Sequence, residues 1–227
     1  MKYAVQPPAI PVVPVHGGDT VFPVHRIYCV GKNYAKHVIE MGGLPERQPP
    51  CFFMKPADAV LTDPRLPYPP RSSDFHYEGE LVIAIGRGGQ DIPAAEALEH
   101  VFGYAVGLDM TRRDLQNASK DLAQPWDTAK GFDHSAPISA ITPVASSGHF
   151  ERGRIHLAVN GETRQDADFA ELIWKNQEII AELSTYYRLQ PGDLIFTGTP
   201  AGVGPVRRGD RIRVEVDRLG ALEVEVV

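Results

Sequence analysis

Apolar residues along this chain fall mostly in short or alternating runs, a spacing typical of strands. The runs are RIYCVG (26–31), CFFMK (51–55), ELVIAIG (80–86), YAVGLDM (104–110), DLIFTG (193–198), DRIRVEVDRLG (210–220) and ALEVEVV (221–227). Residues 155–165 add a hairpin, because Asn160-Gly161 is a favoured two-residue turn.

Helical spacing is confined to a few segments, which are 33–42, 93–101, 111–123 and 171–187. Thr111 is predicted to cap the third helix, with Asp114 at the capping-box position. Strands outnumber helices, and the last third of the chain is hairpin-like. The pattern therefore predicts a β-rich α+β fold, with a mixed or antiparallel sheet folded into a sandwich or roll.

Composition and charge argue against a nucleic-acid-binding, secreted or membrane protein. The formal net charge is −6 and no cluster of Lys and Arg stands out, so no nucleic-acid partner is expected. The two cysteines have no metal-type or redox-type pairing, which favours free thiols in a reducing cytoplasm. Prolines interrupt the first 15 residues, so no signal peptide is predicted, and no run approaches the ~20 apolar residues of a membrane span.

Two carboxylates stand at the entrance of the most apolar run. Glu78 and Glu80 are two residues apart, so in a strand their side chains share one face. That face continues as Val82 and Ala84, and the opposite face is also apolar, so the strand is predicted to be buried on both faces. Two buried like charges need a neutralising cation, which a divalent metal ion supplies. The alternative is that both glutamates lie in water at the frayed start of the strand.

Further candidate residues follow other elements. Asp109 ends an apolar strand, and it is either a third metal ligand or a simple turn residue. Arg113 and Gln116 share a helical face and suit a substrate carboxylate or carbonyl. His37 and Glu40 have the same spacing, and a carboxylate beside a histidine makes the imidazole a better base. The alternative for that pair is an exposed ion pair on a helix.

Seven ordered blocks of the chain resemble the fumarylacetoacetate hydrolase family, closest to its acylpyruvate and fumarylpyruvate hydrolase branch. They are VGKNYAKHVIEMG, FFMKPADA, HYEGELVIAIG, YAVGLDMTRRDLQ, WDTAKGFD, VNGETRQ and GDLIFTGTPAGVGPV. The resemblance implies a mixed β-sandwich roll, usually dimeric. It divides the chain into a lead-in segment, 1–25, with one short hairpin, and a catalytic domain, 26–227.

The resemblance also implies roles for individual residues. It makes Glu78, Glu80 and Asp109 ligands of Mg²⁺ or Mn²⁺, with water completing the shell. It makes His37, Glu40 and Lys130 catalytic. Substrate contacts would come from Arg113, Gln116 and Thr199, with Lys55 nearby.

The implied reaction is hydrolysis of the C–C bond of a 2,4-dioxo acid, with fumarylpyruvate as the first choice, in the catabolism of aromatic compounds. The alternatives are an oxaloacetate decarboxylase or a related isomerase or lyase, and, outside the enzymes, a metal-binding structural β-domain. A fumaryl group ends in a second carboxylate that needs a basic partner. Arg71 is the candidate by its position, and Arg47 is the alternative.

Overall fold

The computed structural model describes residues 2–44 and 46–227. In chain order its strands are β1 Val12–Pro14, β2 Val21–Pro23, β3 Ile27–Gly31, β4 Cys51–Lys55, β5 Val60–Leu61, β6 Arg65–Leu66, β7 Phe75–Tyr77, β8 Gly79–Ile85, β9 Val101–Leu108, β10 Thr111–Arg112, β11 Ala136–Pro137, β12 Thr142–Pro143, β13 Arg154–Val159, β14 Glu162–Asp168, β15 Leu194–Phe196, β16 Gly204–Pro205, β17 Arg211–Val216 and β18 Gly220–Val226. The helices are α1 Ala35–Glu40, α2 Arg113–Asp121, α3 Asp127–Lys130, α4 Val144–Ser147 and α5 Asn176–Tyr186, with 3-10 turns at Ala57–Ala59, Ala97–His100 and Phe169–Glu171.

Two large sheets form the body of the molecule. The first has the strand order β12-β9-β8-β15-β3-β4 and is mixed, because β15 runs parallel to β3 and antiparallel to β8. The second has the order β14-β13-β17-β18-β6, in which only the β18–β6 pair is parallel. The β13–β14 hairpin turns at Asn160 and Gly161, where the sequence predicts it. The prediction of a β-rich α+β fold with mixed sheets is confirmed.

The central strand β8 is buried on both faces, as its sequence predicts. Leu81, Ile83 and Ile85 join the main core, where the second sheet packs through β13 against β8 and through β17 and β18 against β9. Val82 and Ala84, on the opposite face, join a second core with the aliphatic side chains of β3 and β15. Apolar burial on both faces leaves few positions on β8 for polar groups, and these lie at its start.

The β1–β2 hairpin covers part of the second core. Val13, Phe22 and Val24 are each less than a tenth exposed and pack there. The chain is therefore part of the packed body from about Val12 onward. Among the described residues, no helix is long and apolar enough to cross a membrane.

Two local predictions are wrong. The segment 93–101 forms only a 3-10 turn at Ala97–His100, because its amide hydrogen bonds run between residues three apart and β9 begins at Val101. Thr111 does not cap α2, because it lies in β10 and its hydroxyl donates to the Asp109 carbonyl 3.1 Å away. Asp114 instead accepts from the Ser73 amide at 2.9 Å and anchors the preceding loop.

Candidate active site

Antiparallel pairing of β8 with β9 brings three carboxylates together. Gly79 is paired with Leu108, so the next residues outward, Glu78 and Asp109, lie side by side, with the Asp109 amide donating to the Glu78 carbonyl at 2.8 Å. One carboxylate oxygen each from Glu78, Glu80 and Asp109 lies within 4.8 Å of the others. All three side chains are at most about 5% exposed, so their charges must be neutralised within the protein.

Cationic side chains neutralise two of the three carboxylates. The Lys130 ammonium lies 2.8 Å from Glu78 and 2.7 Å from Asp109, and Arg113 donates to the other Glu78 oxygen. Lys55 forms an ion pair with Asp109 Oδ1 at 2.8 Å. Burial alone would raise the pKa of Glu78, but Lys130 and Arg113 together lower it well below its ordinary value.

Glu80 has no such cationic contact among the described residues. One of its oxygens accepts the Gly198 amide at 2.7 Å. Burial, followed by the charges of Asp109 and Glu78, raises its pKa well above the ordinary value. Asp109 Oδ1, although beside Lys55, has no hydrogen bond of good geometry. Carboxylate oxygens in this arrangement fit a hard divalent cation, whose charge would relieve the repulsion.

His37, which pairs with Glu40, lines the same cavity as these carboxylates. His37 Nδ1 and Glu40 Oε2 are 3.0 Å apart on consecutive turns of α1, and the His37 side chain is buried. The other Glu40 oxygen accepts the Gly202 amide at 2.9 Å. Glu40 thus holds the ring through Nδ1, and His37 lines the cavity.

The predicted substrate-contact residues lie on the same cavity, with one exception. Arg113 donates to the Gln116 carbonyl oxygen at 2.5 Å, and both side chains are 4% exposed. Thr199 is held by Gly79, whose carbonyl accepts its hydroxyl at 2.9 Å. Lys55 is the exception. Its ammonium contacts Asp109 and the carbonyls of Met110 and Lys130, and it does not reach the cavity wall. The structure therefore shows Lys55 supporting Asp109, and its contact with substrate stays a prediction.

Neither arginine predicted for the far end of the substrate lines this cavity. Arg47 is engaged elsewhere, with its guanidinium 4.2 Å from the Trp174 ring centroid and 2.9 Å from Glu178. Arg71 lies in the exposed loop before β7. Neither arginine contributes to this cavity wall, and the binding of the far carboxylate by either of them stays a prediction.

Several lining residues were missed from the sequence. They are Val30, Gly31, Lys32, Met41, Phe53, Lys120 and Trp126. Helical spacing could have found Lys120, which follows Gln116 by four positions and Arg113 by seven on α2. No comparable local spacing marks Phe53, whose strand reaches the cavity only through pairing with β3.

The chain is similar to known proteins in both sequence and structure. The model of the family described as "Fumarylacetoacetate (FAA) hydrolase C-terminal" matches residues 26–227. A fumarylpyruvate hydrolase of Ralstonia sp is 47% identical over 175 residues, which cover 77% of this chain and 91% of the relative. An oxaloacetate tautomerase of Escherichia coli is 41% identical over 200 residues, covering 86% and 90%.

A solved structure is similar over the full length. It is the crystal structure of a fumarylpyruvate hydrolase from Pseudomonas aeruginosa in complex with Mn²⁺ and pyruvate. The two chains are 51% identical and superpose with a TM-score of 0.98, covering 100% of this chain and 99% of the other.

Proposed function

Because the chain belongs to the fumarylacetoacetate hydrolase family, we propose that it is a divalent-metal-dependent hydrolase that cleaves fumarylpyruvate to fumarate and pyruvate. The observation that carries the proposal is that His37, paired with Glu40, lines the same cavity as three clustered carboxylates. Cleavage of the C–C bond by water needs a base to activate the water, and this pair supplies one. A structural metal-binding domain would have no use for it.

The proposed metal ligands are Glu78, Glu80 and Asp109, and the proposed ion is Mg²⁺ or Mn²⁺. A divalent ion held there would supply Lewis-acid stabilisation of the negative charge that develops on the pyruvyl part of the substrate. Lys130 and Arg113, which pair with Glu78, and Lys130, which also pairs with Asp109, would keep these two carboxylates ionised and in place. The similar structure in complex with Mn²⁺ and pyruvate supports this assignment.

The chain's own residues would act as follows. Arg113, Gln116 and Thr199 orient the pyruvyl end of the substrate. His37, held by Glu40, takes a proton from a water molecule, whose oxygen forms a bond to C4. The C3–C4 bond then breaks, and its electron pair passes to the pyruvate fragment as the enolate. Protonation of C3, with His37 as the proton source, gives pyruvate, and the acyl group leaves as fumarate.

Lys130 is proposed to stabilise the oxyanion that develops at C4. The residue is 2% exposed, and its ammonium has two of its three hydrogens committed to Glu78 and Asp109. The third remains for substrate. Removing one such electrostatic donor typically lowers turnover by ~10²–10³.

A second candidate is action on oxaloacetate, which the similarity to the Escherichia coli tautomerase favours. Tautomerisation moves a proton between carbon and oxygen, and decarboxylation releases CO₂. Neither reaction needs an attacking water, so His37 would act only in proton transfer or not at all.

The deciding experiment compares kcat/KM for fumarylpyruvate, a neutral acylpyruvate and oxaloacetate at one Mn²⁺ concentration, with and without chelator. We expect fumarylpyruvate to be the best substrate and chelator to abolish its hydrolysis. If tautomerisation or decarboxylation of oxaloacetate is faster by tenfold or more, about 1.4 kcal/mol in transition-state preference, hydrolysis is a side activity.

Three further features belong to the same proposal. The protein would act in the catabolism of aromatic compounds. It would work in the cytoplasm, where its free thiols, Cys29 and Cys51, suit a reducing compartment. It would be a homodimer, a state proposed by analogy with the family alone.

A further inference from the structure

Two lysines at the mouth of the cavity differ from every cation deeper inside it. Lys130 and Arg113 are buried and bound to the carboxylates of the triad. Lys32 and Lys120 also line the cavity, but both are exposed. Within residues 2–44 and 46–227, neither side chain makes an ion pair or a hydrogen bond. Their charges are therefore available to a ligand.

The two lysines converge from different elements. Lys120 lies in the last turn of α2, on the face that carries Gln116 and Arg113. Lys32 lies in the turn after β3, with a φ of 61°. This left-handed conformation is uncommon for lysine, and asparagine adopts it more readily. The backbone of the turn therefore does not account for a lysine at this position.

Partial burial lowers the pKa of Lys120, and the neighbouring charge of Arg113 lowers it further. Glu78 opposes this change, whereas Lys32 and Lys130 add to it. The two mouth lysines and the two inner cations thus lie close enough to repel one another. In a chain of net charge −6, this concentration of positive charge favours an anionic ligand at the mouth.

Aromatic rings connect the inner and outer cations. The Lys130 ammonium lies 5.1 Å from the centroid of Phe53, which is 5.7 Å from the centroid of Trp126. The Lys120 ammonium lies 5.7 Å from Trp126 on the outer side. The two rings are inclined by 62°, so a flat, unsaturated carbon chain can pack against the face of one ring and the edge of the other, with one polar end among the inner residues and the other at the mouth.

We infer that Lys32 and Lys120 bind the carboxylate at the far end of the acyl group, which makes the cavity selective for 2,4-dioxo acids with a planar acyl chain ending in a second carboxylate. The inference rests on the proposed function and names the residues that would give it its substrate class. Lys32 and Lys120 take the role that the sequence predicted for Arg71 or Arg47, neither of which lines the cavity.

The test uses single substitutions, Lys32→Gln and Lys120→Gln, and two substrates. Fumarylpyruvate has the distal carboxylate, and acetylpyruvate has a methyl group in place of the carboxyvinyl group, –CH=CH–COO⁻. Each variant should raise KM for fumarylpyruvate and lower its kcat/KM by about tenfold, the effect of losing one charge-assisted hydrogen bond. Values for acetylpyruvate should change less than about twofold. Lys32→Arg and Lys120→Arg should retain most of the wild-type preference.

Lys36→Gln is the matched control. It removes the same charge from an exposed side chain that pairs with Glu171 at 2.8 Å and does not line the cavity, so both substrates should be unaffected. Ionic strength gives a second measurement. Salt should lower kcat/KM for fumarylpyruvate in the wild type, and the slope should be shallower in the variants, because exposed charges are screened.

Several outcomes would overturn the inference. One is an equal fall for both substrates, which would indicate a structural role for the lysines. Another is no change for fumarylpyruvate. A selective loss in Arg71→Gln would assign the far carboxylate to that arginine. Wild-type protein that prefers acetylpyruvate would overturn the inference while C–C hydrolysis stands. Wild-type protein that hydrolyses neither substrate would overturn the proposed function as well.

Discussion

Glu80 is the residue on which the proposed metal site depends most. Glu78 and Asp109 have buried cations in direct contact, whereas within residues 2–44 and 46–227 Glu80 contacts no cation, accepts the Gly198 amide and has two like charges nearby. A carboxylate in this position is unfavourable when ionised and becomes favourable once a divalent ion is bound. Metal affinity and the charge of Glu80 should therefore be tightly linked.

Glu80→Gln is expected to weaken Mn²⁺ binding by more than about 100-fold, since even outer residues of metal sites contribute about 10–100-fold. Hydrolysis should be lost with it. The fold should survive, because the amide can still accept the Gly198 hydrogen bond and no longer buries a charge. Calorimetric titration with Mn²⁺ measures affinity, and thermal unfolding of the metal-free protein is the control. Wild-type affinity in this variant would remove Glu80 from the metal site.

The raised pKa of Glu80 sets the pH dependence of metal binding. Its folded value lies above the ordinary 4.5, so the folded metal-free protein holds a proton that the unfolded chain has lost. Protonated Glu80 therefore contributes to the stability of the metal-free fold below pH 4.5, and this contribution is lost as pH rises through the folded pKa. Glu78 has a lowered pKa, so its contribution is present above the ordinary value and is lost as pH falls.

Because metal binding requires ionised Glu80, Mn²⁺ should displace a proton from this residue, and the number displaced should be larger at pH 5.5 than at higher pH. Titrations in two buffers of different ionisation enthalpy give the number of protons released. When the Glu80→Gln variant binds Mn²⁺ at high concentration, no proton should be released from residue 80. A binding enthalpy for the wild type that does not depend on the buffer at pH 5.5 would contradict this prediction.

His37→Ala separates base chemistry from metal binding. His37 contacts Glu40 and does not belong to the carboxylate cluster. Hydrolysis of fumarylpyruvate should fall by ~10²–10⁴, the usual contribution of a general base. Mn²⁺ affinity should stay within about threefold of the wild type, measured by the same calorimetry. A collapse of affinity would instead place His37 in the coordination shell.

At the level of elements, the glycine-rich segment 198–204 connects the two halves of the site. Its first glycine donates to Glu80, and Gly202 donates to Glu40. Gln165 of β14 fixes the segment by donating to Thr199 and to the Pro200 carbonyl. A displacement of this segment should therefore disturb the base and the carboxylates together.

Gly202→Ala should cause such a displacement. A Cβ at this position would lie 1.9 Å from the Arg164 carbonyl oxygen, and φ is +99°. We expect kcat to fall by at least about tenfold as Glu40 loses its amide partner. The matched control is Gly209→Ala, with φ of +91° and no atom within 4 Å. It should lose only the stability that positive φ accounts for, about 1–3 kcal/mol. Equal kinetic losses in the two variants would refute a specific role for the segment.

The sequence predicts this site as far as local spacing reaches. The i, i+2 spacing places Glu78 and Glu80 together, and the i, i+3 spacing brings His37 to Glu40 on α1. The contact between Glu40 and Gly202 spans 162 residues, and no local pattern encodes it. The same holds for Lys55, whose burial under Asp109 depends on how β4 pairs with β3.

Secondary-structure elements are likewise predictable from the sequence only where they depend on local spacing. Strands with strong alternation or full apolarity were predicted to within a few residues, because side-chain period is a local property. The segment 93–101 is rich in residues that favour helix, but it lies between β8 and β9. Its 3-10 turn ends at His100, and β9 begins at Val101. Thr111 likewise has a side chain that favours the N-cap of a helix, yet its backbone pairs with β7 as part of β10. Tertiary pairing overrides local propensity at both places.

At the level of the whole molecule, the exposed apolar residues concentrate near the N-terminus. They include Tyr3, Val5, Ile10, Val12 and Val21. A homodimer is expected, and light scattering at micromolar concentration should give twice the chain mass of 24.9 kDa. Scattering by the Glu80→Gln variant should give the same mass, since that residue is buried. A monomer mass for the wild type would contradict the analogy on which the expectation rests.

The place of β15 in the first sheet bears on how the protein is made. This strand lies between β8 and β3, yet it comes from residues 194–196 of 227. During synthesis, β3 and β8 therefore leave the ribosome long before the strand that joins them. Until then, a nascent chain carries apolar strand edges without a partner, which is the state that chaperones recognise. Gly198 follows β15 directly, so the arrival of the same short segment completes both the sheet and the contact to Glu80.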